Sequence, residues 1–216
     1  MRGHAVRGIR QHVNPLGLKY IEPRAQPLAR PEHLAEDCRV EVELGCADAD
    51  FSFELAAKRP SWWVVGLEIR EPCVTRNRAR ARAEGLRNIS FGYVNMNVDL
   101  DRVFTTSSVD RFHLLFPDPW FKARHQKRRV VEPELLTTLR SQLRAGGELH
   151  FASDVFEVAL AAMSEIEDPG CAELGFTNLA GEWSFWRGNP MAAASRRERT
   201  TLAREQRVWR MRYGVP

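Results

Sequence analysis

The stretch RVEVELGCADADFSFELAAKRPSWWVVGLEIREPCVTRNRARARAEGLRNISFGYV (39–94) decides the fold. Two kinds of run alternate in it. RVEVEL (39–44), WWVVGLE (62–68) and NISFGYV (88–94) are short, rich in β-branched and aromatic residues, and read as strands. Between them DADFSFELAAKR (48–59) begins as a helix, and REPCVTRNRARARAEG (70–85) is a helix ended by Gly85. Strands separated by helices of this length imply a parallel sheet covered on both faces, in an α/β domain.

The alternation continues downstream. RFHLLF (111–116) is a fourth strand, bounded by the helix-hostile Pro117-Asp118-Pro119. PELLTTLRSQLRAG (133–146) carries Leu135, Leu136, Leu139 and Leu143 on one helical face, with Gly146 after it. GELHFAS (147–153) is a fifth strand, followed by a helix through about Glu167. The tail holds an aromatic stretch, EWSFW (182–186), and then REQRVWRMRY (204–213), which reads as a final strand. Upstream, residues 1–37 are Pro- and Arg-rich with little periodicity and read as a basic N-terminal arm ahead of one domain at 38–216.

A chain of 216 residues suits one globular domain. It contains no run of roughly 20 apolar residues, so no membrane helix is expected. The basic start MRGHAVRGIRQHV is followed by no apolar segment, so no signal peptide is expected. Cys38, Cys46, Cys73 and Cys171 are scattered without a Cys-x-x-Cys pair. That spacing suits neither a zinc site nor a disulfide framework, and points to reduced thiols, no metal and a cytoplasmic protein.

The net charge of +4 is modest, but positive residues bunch in four places: the first thirty residues, Arg76 to Arg82, Lys122 to Arg129, and Arg196 to Arg212. A polyanion partner accounts for this pattern, since each phosphate neutralised releases counterions. For Arg76, Arg78, Arg80 and Arg82 a solvated helix face accounts for it equally well.

In parallel sheets of this kind ligands bind at the carboxyl ends of the strands. There the sequence places Glu43, Glu68, Asn95, Asp118 and Asp154, one polar group after each of five strands. A lone acid after a strand is more often a helix-start residue than a ligand, so it is the repetition that points to a site. Glu68, about 20 residues beyond the Gly45 turn, is placed to accept hydrogen bonds from ribose hydroxyls. The loop after the first strand, Gly45-Cys46-Ala47-Asp48-Ala49-Asp50, has one glycine and two acids. It lacks the close backbone approach a pyrophosphate needs, and its acids repel phosphate, which disfavours a dinucleotide. A nucleoside cofactor bearing positive charge suits the acidic rim.

The segment Phe116-Pro117-Asp118-Pro119-Trp120-Phe121-Lys122-Ala123-Arg124-His125-Gln126-Lys127-Arg128-Arg129 closely resembles the PDPWxKxRHxKRR signature of the tRNA (guanine-N7)-methyltransferases. The resemblance covers residues 39 to 155 well and the tail loosely. It implies a single Rossmann-like methyltransferase domain, with a mostly parallel seven-stranded sheet and helices on both faces. It also implies S-adenosylmethionine as cofactor and tRNA as partner, with methyl transfer to N7 of a guanosine in the variable loop. Carried over by position, Glu43 and Glu68, with Gly45, look like ligands of the methionine and ribose parts of the cofactor. Asn95 stands beside the adenine, Asp118 matches the active-site acid, and Lys122 and Asp154 match substrate-binding positions. Ser195-Arg196-Arg197-Glu198 aligns with the family's TxFE element, which makes Ser195 and Glu198 substrate-binding candidates although the aromatic is lost.

Two departures stand out. The family's GxGxG loop is here Gly45-Cys46-Ala47-Asp48-Ala49, and the methyl at Ala47 is tolerable only where the backbone does not need positive φ. The N-terminal arm also differs from the family's. An RNA-binding relative without cofactor, and a methyltransferase with another acceptor, remain as alternatives. The basic stretch beside Asp118 argues against a small acceptor. Oligomeric state, monomer or homodimer, is open.

Overall fold

The computed structural model describes residues 13–15, 17–21, 25–118 and 131–216. Seven strands, β1 (Val40–Leu44), β2 (Trp63–Glu68), β3 (Ile89–Tyr93), β4 (Val109–Leu115), β5 (Leu143–Ser153), β6 (Thr177–Asn178) and β7 (Trp209–Gly214), form one sheet in the order 3-2-1-4-5-7-6. β1 through β5 run parallel and β7 is antiparallel to both β5 and β6. Every residue of β1 and β2 is buried: β2 is apolar up to its last residue, Glu68, whereas β1 buries Glu41 and Glu43 between its apolar residues.

Helices cover both faces. α1 (Leu18–Ile21) lies in the lead-in. α2 (Asp50–Lys58) and α3 (Glu71–Ala83) bring Phe51, Phe53, Leu55, Val74 and Ala81 to one core. α4 (Pro133–Gln142) and α5 (Phe156–Ile166) bring Leu135, Leu136, Leu139, Ala159 and Met163 to the other. The second core also takes in Ala25, Leu34 and Cys38, and Leu28 N–H donates to the Val103 carbonyl at 3.3 Å. The packed body therefore draws on the lead-in from Ala25 onward, ahead of position 38.

The helix expected to reach Gly146 ends at Gln142, and Leu143 is already the first residue of β5, paired with Val109 before a bulge. Leu139 and Leu143 share a helical spacing, yet a buried Leu fits the last turn and the first strand position equally well. The break is held by Gln142, whose side-chain amide donates to the carbonyls of Leu100 and Phe104 at 2.8 and 3.1 Å. The tail holds an element the periodicity did not show, α6 (Arg196–Ala203), just before β7. No helix among the described residues is long and apolar enough to cross a membrane. All four cysteines are buried and none is in a disulfide.

Candidate active site

The order of the strands reverses at β1, which has β2 on one side and β4 on the other. A cleft of about 800 Å³ opens over the carboxyl end of β1, at this switch point. Glu43, Gly45, Glu68, Asn95, Asp118, Asp154 and Ser195 all line it. Seven of the nine residues singled out from sequence thus converge on one cavity. Of the other two, Glu198 is not among the lining residues, and Lys122, with the basic stretch to Arg129, lies outside the described residues.

Glu43 is buried on the α2 side, where its carboxylate accepts from Ser52 N–H at 3.2 Å and Ser52 Oγ at 2.5 Å. Burial pushes its carboxyl up to about 8 against those two bonds, and the charges of Glu68 and Asp50 add to the rise. It thus carries a proton readily at neutral pH, and a cation brought into the cleft would favour its ionised form.

The loop after β1 is built like a glycine loop from residues that are not glycine. Gly45 has φ 72°, Ala47 φ 47° and Ala49 φ 57°. The condition attached to Ala47 is therefore not met, because its backbone is left-handed. Such a conformation costs an L-residue about 1–2 kcal/mol. Tertiary contacts hold it in place. Cys46 N–H donates to the Leu67 carbonyl at 2.9 Å, and Ala47 N–H donates to Glu68 Oε2, also at 2.9 Å. From α3, Asn77 Nδ2 donates to the Ala47 carbonyl at 2.9 Å.

Glu68 also accepts from the backbone N–H and the guanidinium of Arg70, at 2.8 to 3.0 Å. The bond to Glu68 raises Arg70 above the usual guanidinium range despite its burial, and the charge of Asp118 contributes. Arg70 lines the cleft together with Glu68 and Asp118. Sequence reasoning missed it, although its place two residues after a strand-end acid was a usable signal. Asp118 is aimed by an unusual turn. Phe116 has φ 52°, its N–H donates to the Ala152 carbonyl at 2.7 Å, and the ring of Pro117 restricts the backbone leading into Asp118.

Asn95 has a second occupation. Its Nδ2 donates to the carbonyls of Pro15 and Tyr20 at 2.8 and 3.3 Å, and its Oδ1 accepts from Asn97 N–H at 3.2 Å. The lead-in is thereby tied over this corner of the cleft, where Val13 and Pro15 join the lining.

On the opposite side, Asp154 Oδ2 accepts from Arg197 Nε at 2.7 Å and Thr201 Oγ1 at 3.2 Å, both on α6. Arg196 pairs with Asp48 at 3.1 Å, joining α6 to the loop after β1. Ser195 caps α6, its Oγ accepting from Glu198 N–H at 3.1 Å. The Ser-x-x-Glu spacing is the sequence signature of a helix start, and it was the signal for α6. The Glu198 carboxylate is buried and paired with the Arg210 guanidinium from β7.

The arginines of α3 are mostly engaged internally. Arg76 pairs with Asp48, Arg78 donates to the Phe91 carbonyl, and Arg80 pairs with Asp50 and Glu84. Below the cleft floor, Glu41 accepts from His113 Nε2 at 2.6 Å and Arg111 Nη1 at 3.1 Å. Burial opposes its charge, but these partners hold it at about 2. With Glu41 ionised, His113 Nε2 carries the proton, so His150 Nδ1–H donates to His113 Nδ1 at 3.0 Å. Among the described residues no cluster of His, Cys, Asp or Glu could hold a metal ion.

The sheet order and the acid-rimmed cleft at its switch point define a Rossmann-like methyltransferase. Solved structures with this fold include the 16S rRNA methyltransferase KamB, at TM-score 0.60 and 18% identity, covering 89% of this chain and 99% of that one. The antibiotic-resistance methyltransferase Kmr has TM-score 0.56 and 19% identity, over 85% and 90%. Residues 37–211 match the family model described as "Putative methyltransferase". The tRNA (guanine-N(7)-)-methyltransferase of Synechococcus elongatus is 37% identical over 205 residues, 94% of this chain and 93% of the relative. That of Prochlorococcus marinus is 39% identical over 211 residues, 95% and 87%. The chain belongs to the tRNA (guanine-N(7)-)-methyltransferase family.

Proposed function

We propose that this protein transfers a methyl group from S-adenosylmethionine to N7 of a guanosine in the variable loop of tRNA, in the cytoplasm. The carrying observation is that Glu43, Glu68, Asn95, Asp118 and Asp154 meet around one cleft in a chain 37% identical to relatives of that name.

The residues present fit the cofactor. Glu43 is a buried carboxyl raised to about 8, the environment in which a positively charged ligand is welcome. Glu68 is held rigidly for ribose hydroxyls, and the loop from Gly45 to Ala49 brings backbone close without a phosphate cradle. Asn95 and the docked lead-in close the side assigned to the adenine. When bound, S-adenosylmethionine supplies an electrophilic methyl on a sulfonium.

Guanine N7 has a free lone pair at neutral pH, so no general base is needed. The protein's task is to align the base for in-line attack and to exclude water. Asp118, at the mouth, would accept from the guanine edge and favour the positive charge that develops on the base. Asp154, fixed by Arg197 and Thr201, lies on the acceptor side. Lys122 to Arg129 would hold tRNA phosphates, which position the substrate without reading its sequence. Ser195 holds α6 against the cleft. Glu198 supports this arrangement through Arg210, a placement that favours a structural contribution over direct contact with the base. The two alanines with positive φ keep the loop in a glycine-like path, which favours a cofactor-binding protein over a relative without cofactor.

Asp118→Ala tests the reading. Methyl transfer should fall at least a hundred-fold, on the order of losing one aimed electrostatic partner, with tRNA affinity retained. Full activity in the variant would sink it.

A further inference from the structure

Beyond Asp154 the cleft continues to Val155, and the next residue, Phe156, opens α5 and is 41% exposed. Its ring centroid lies 4.7 Å from that of Trp209 and 6.1 Å from that of Phe185, while Phe185 and Trp209 are 4.9 Å apart. The three rings come from separate parts of the chain. The Trp186–Arg210 bridge is what carries Phe185 to the start of β7. Phe185 and Trp209 are rooted against the core, but Phe156 is not, and it forms the outer edge of the shelf.

Scattered exposed apolar side chains mean nothing by themselves. This one is held by two aromatic neighbours, so its outward face is fixed in advance. Beside it the Arg207 guanidinium stands 4.6 Å from the Trp209 ring centroid. Arg207 is exposed and has no carboxylate partner among the described residues. An aromatic shelf with an unneutralised guanidinium over one of its rings complements a polyanion whose units carry π faces. An apolar protein partner would leave that charge buried without a counterion.

We infer that the Phe156–Phe185–Trp209 shelf is an RNA-docking surface: an unpaired base beside the target nucleotide stacks on Phe156, and its phosphate is held by Arg207. The inference rests on the tRNA reading of the cleft and extends it to a surface that the family signature does not touch. Single-stranded RNA is recognised in this way, by splayed bases stacked on aromatic rings.

The test compares the purified wild-type chain with Phe156→Leu, Phe156→Tyr and Arg207→Gln, using one unmodified tRNA transcript. Phe156→Leu keeps apolar bulk but removes the ring. It should raise the KM for tRNA about ten-fold, in the range of one lost base–aromatic stack, with kcat and the KM for S-adenosylmethionine unchanged. Phe156→Tyr should restore the wild-type value, which a role in packing alone would not require. Arg207→Gln should raise the same KM and flatten its dependence on salt. A wild-type KM for tRNA in Phe156→Leu would overturn the inference. If the wild type transfers no methyl group, filter binding of the same transcript gives the same comparison: weaker binding by Phe156→Leu upholds the shelf while the activity reading falls, and equal or absent binding removes the shelf.

Discussion

The backbone N–H of Ala47 donates to Oε2 of Glu68 at 2.9 Å, so the loop that leaves β1 hangs on the acid that ends β2. The bond is made from a left-handed backbone, at φ 47°. The loop after β1 and the end of β2 are thereby fixed relative to each other, at the expense of local strain.

Ala47→Gly should release that strain. Relief of about 1–2 kcal/mol is offset by about 0.4–1 kcal/mol from the freer unfolded chain, leaving a gain of roughly 0.5–1 kcal/mol. Chemical denaturation of the two proteins checks it, and Ala47→Val should shift stability the other way.

Glu43 makes a pH prediction with a definite sign. Its carboxyl is raised from the ordinary 4.5 to about 8, so the folded state holds a proton that the unfolded state releases. That contribution is complete below pH 4.5 and is lost as pH rises through about 8. The buried His113 and His150 are both lowered, by burial first, and act below pH 6.5 in the opposite sense. Between pH 6.5 and 8.5 stability should therefore fall, and Glu43→Gln should flatten the slope in thermal melts. Affinity for S-adenosylmethionine should rise over the same interval, with proton release seen by calorimetry in buffers of different ionisation enthalpy.

Arg210→Met would leave Glu198 buried and unpaired. The expected loss is about 3–5 kcal/mol, because an uncompensated interior carboxylate is expensive. Urea midpoints measure it. A stability loss under about 1 kcal/mol would show that Glu198 reaches solvent or ligand instead.

Asn95→Ala removes both donors that tie down the lead-in at Pro15 and Tyr20. Residues 13–21 should then exchange amide hydrogens faster and be cut sooner by protease, while β1 and β4 keep their protection.

The sheet was legible because β1 to β5 each keep a short run rich in β-branched, aromatic or other apolar residues, separated by helical or turn segments. The end of α4 was not, since Leu143 satisfies helix and strand alike. α6 was hidden because its face toward the protein is polar. It buries Glu198 and Thr201, which pair with Arg210 and Asp154, so no apolar stripe marks it. The candidate site was proposed from a row of strand-end residues, and seven of the nine singled-out residues line one cleft. What pattern did not give was pairing: Arg197 on Asp154 and the lead-in on Asn95 are contacts across the fold, without local sequence signals.

The most direct test incubates the purified protein with methyl-labelled S-adenosylmethionine and unmodified tRNA transcripts, and maps the label to a nucleotide. Label is expected at N7 of a guanosine in the variable loop, abolished by Asp118→Ala. Label at another atom, or cofactor binding without any transfer to tRNA, would contradict the proposed function.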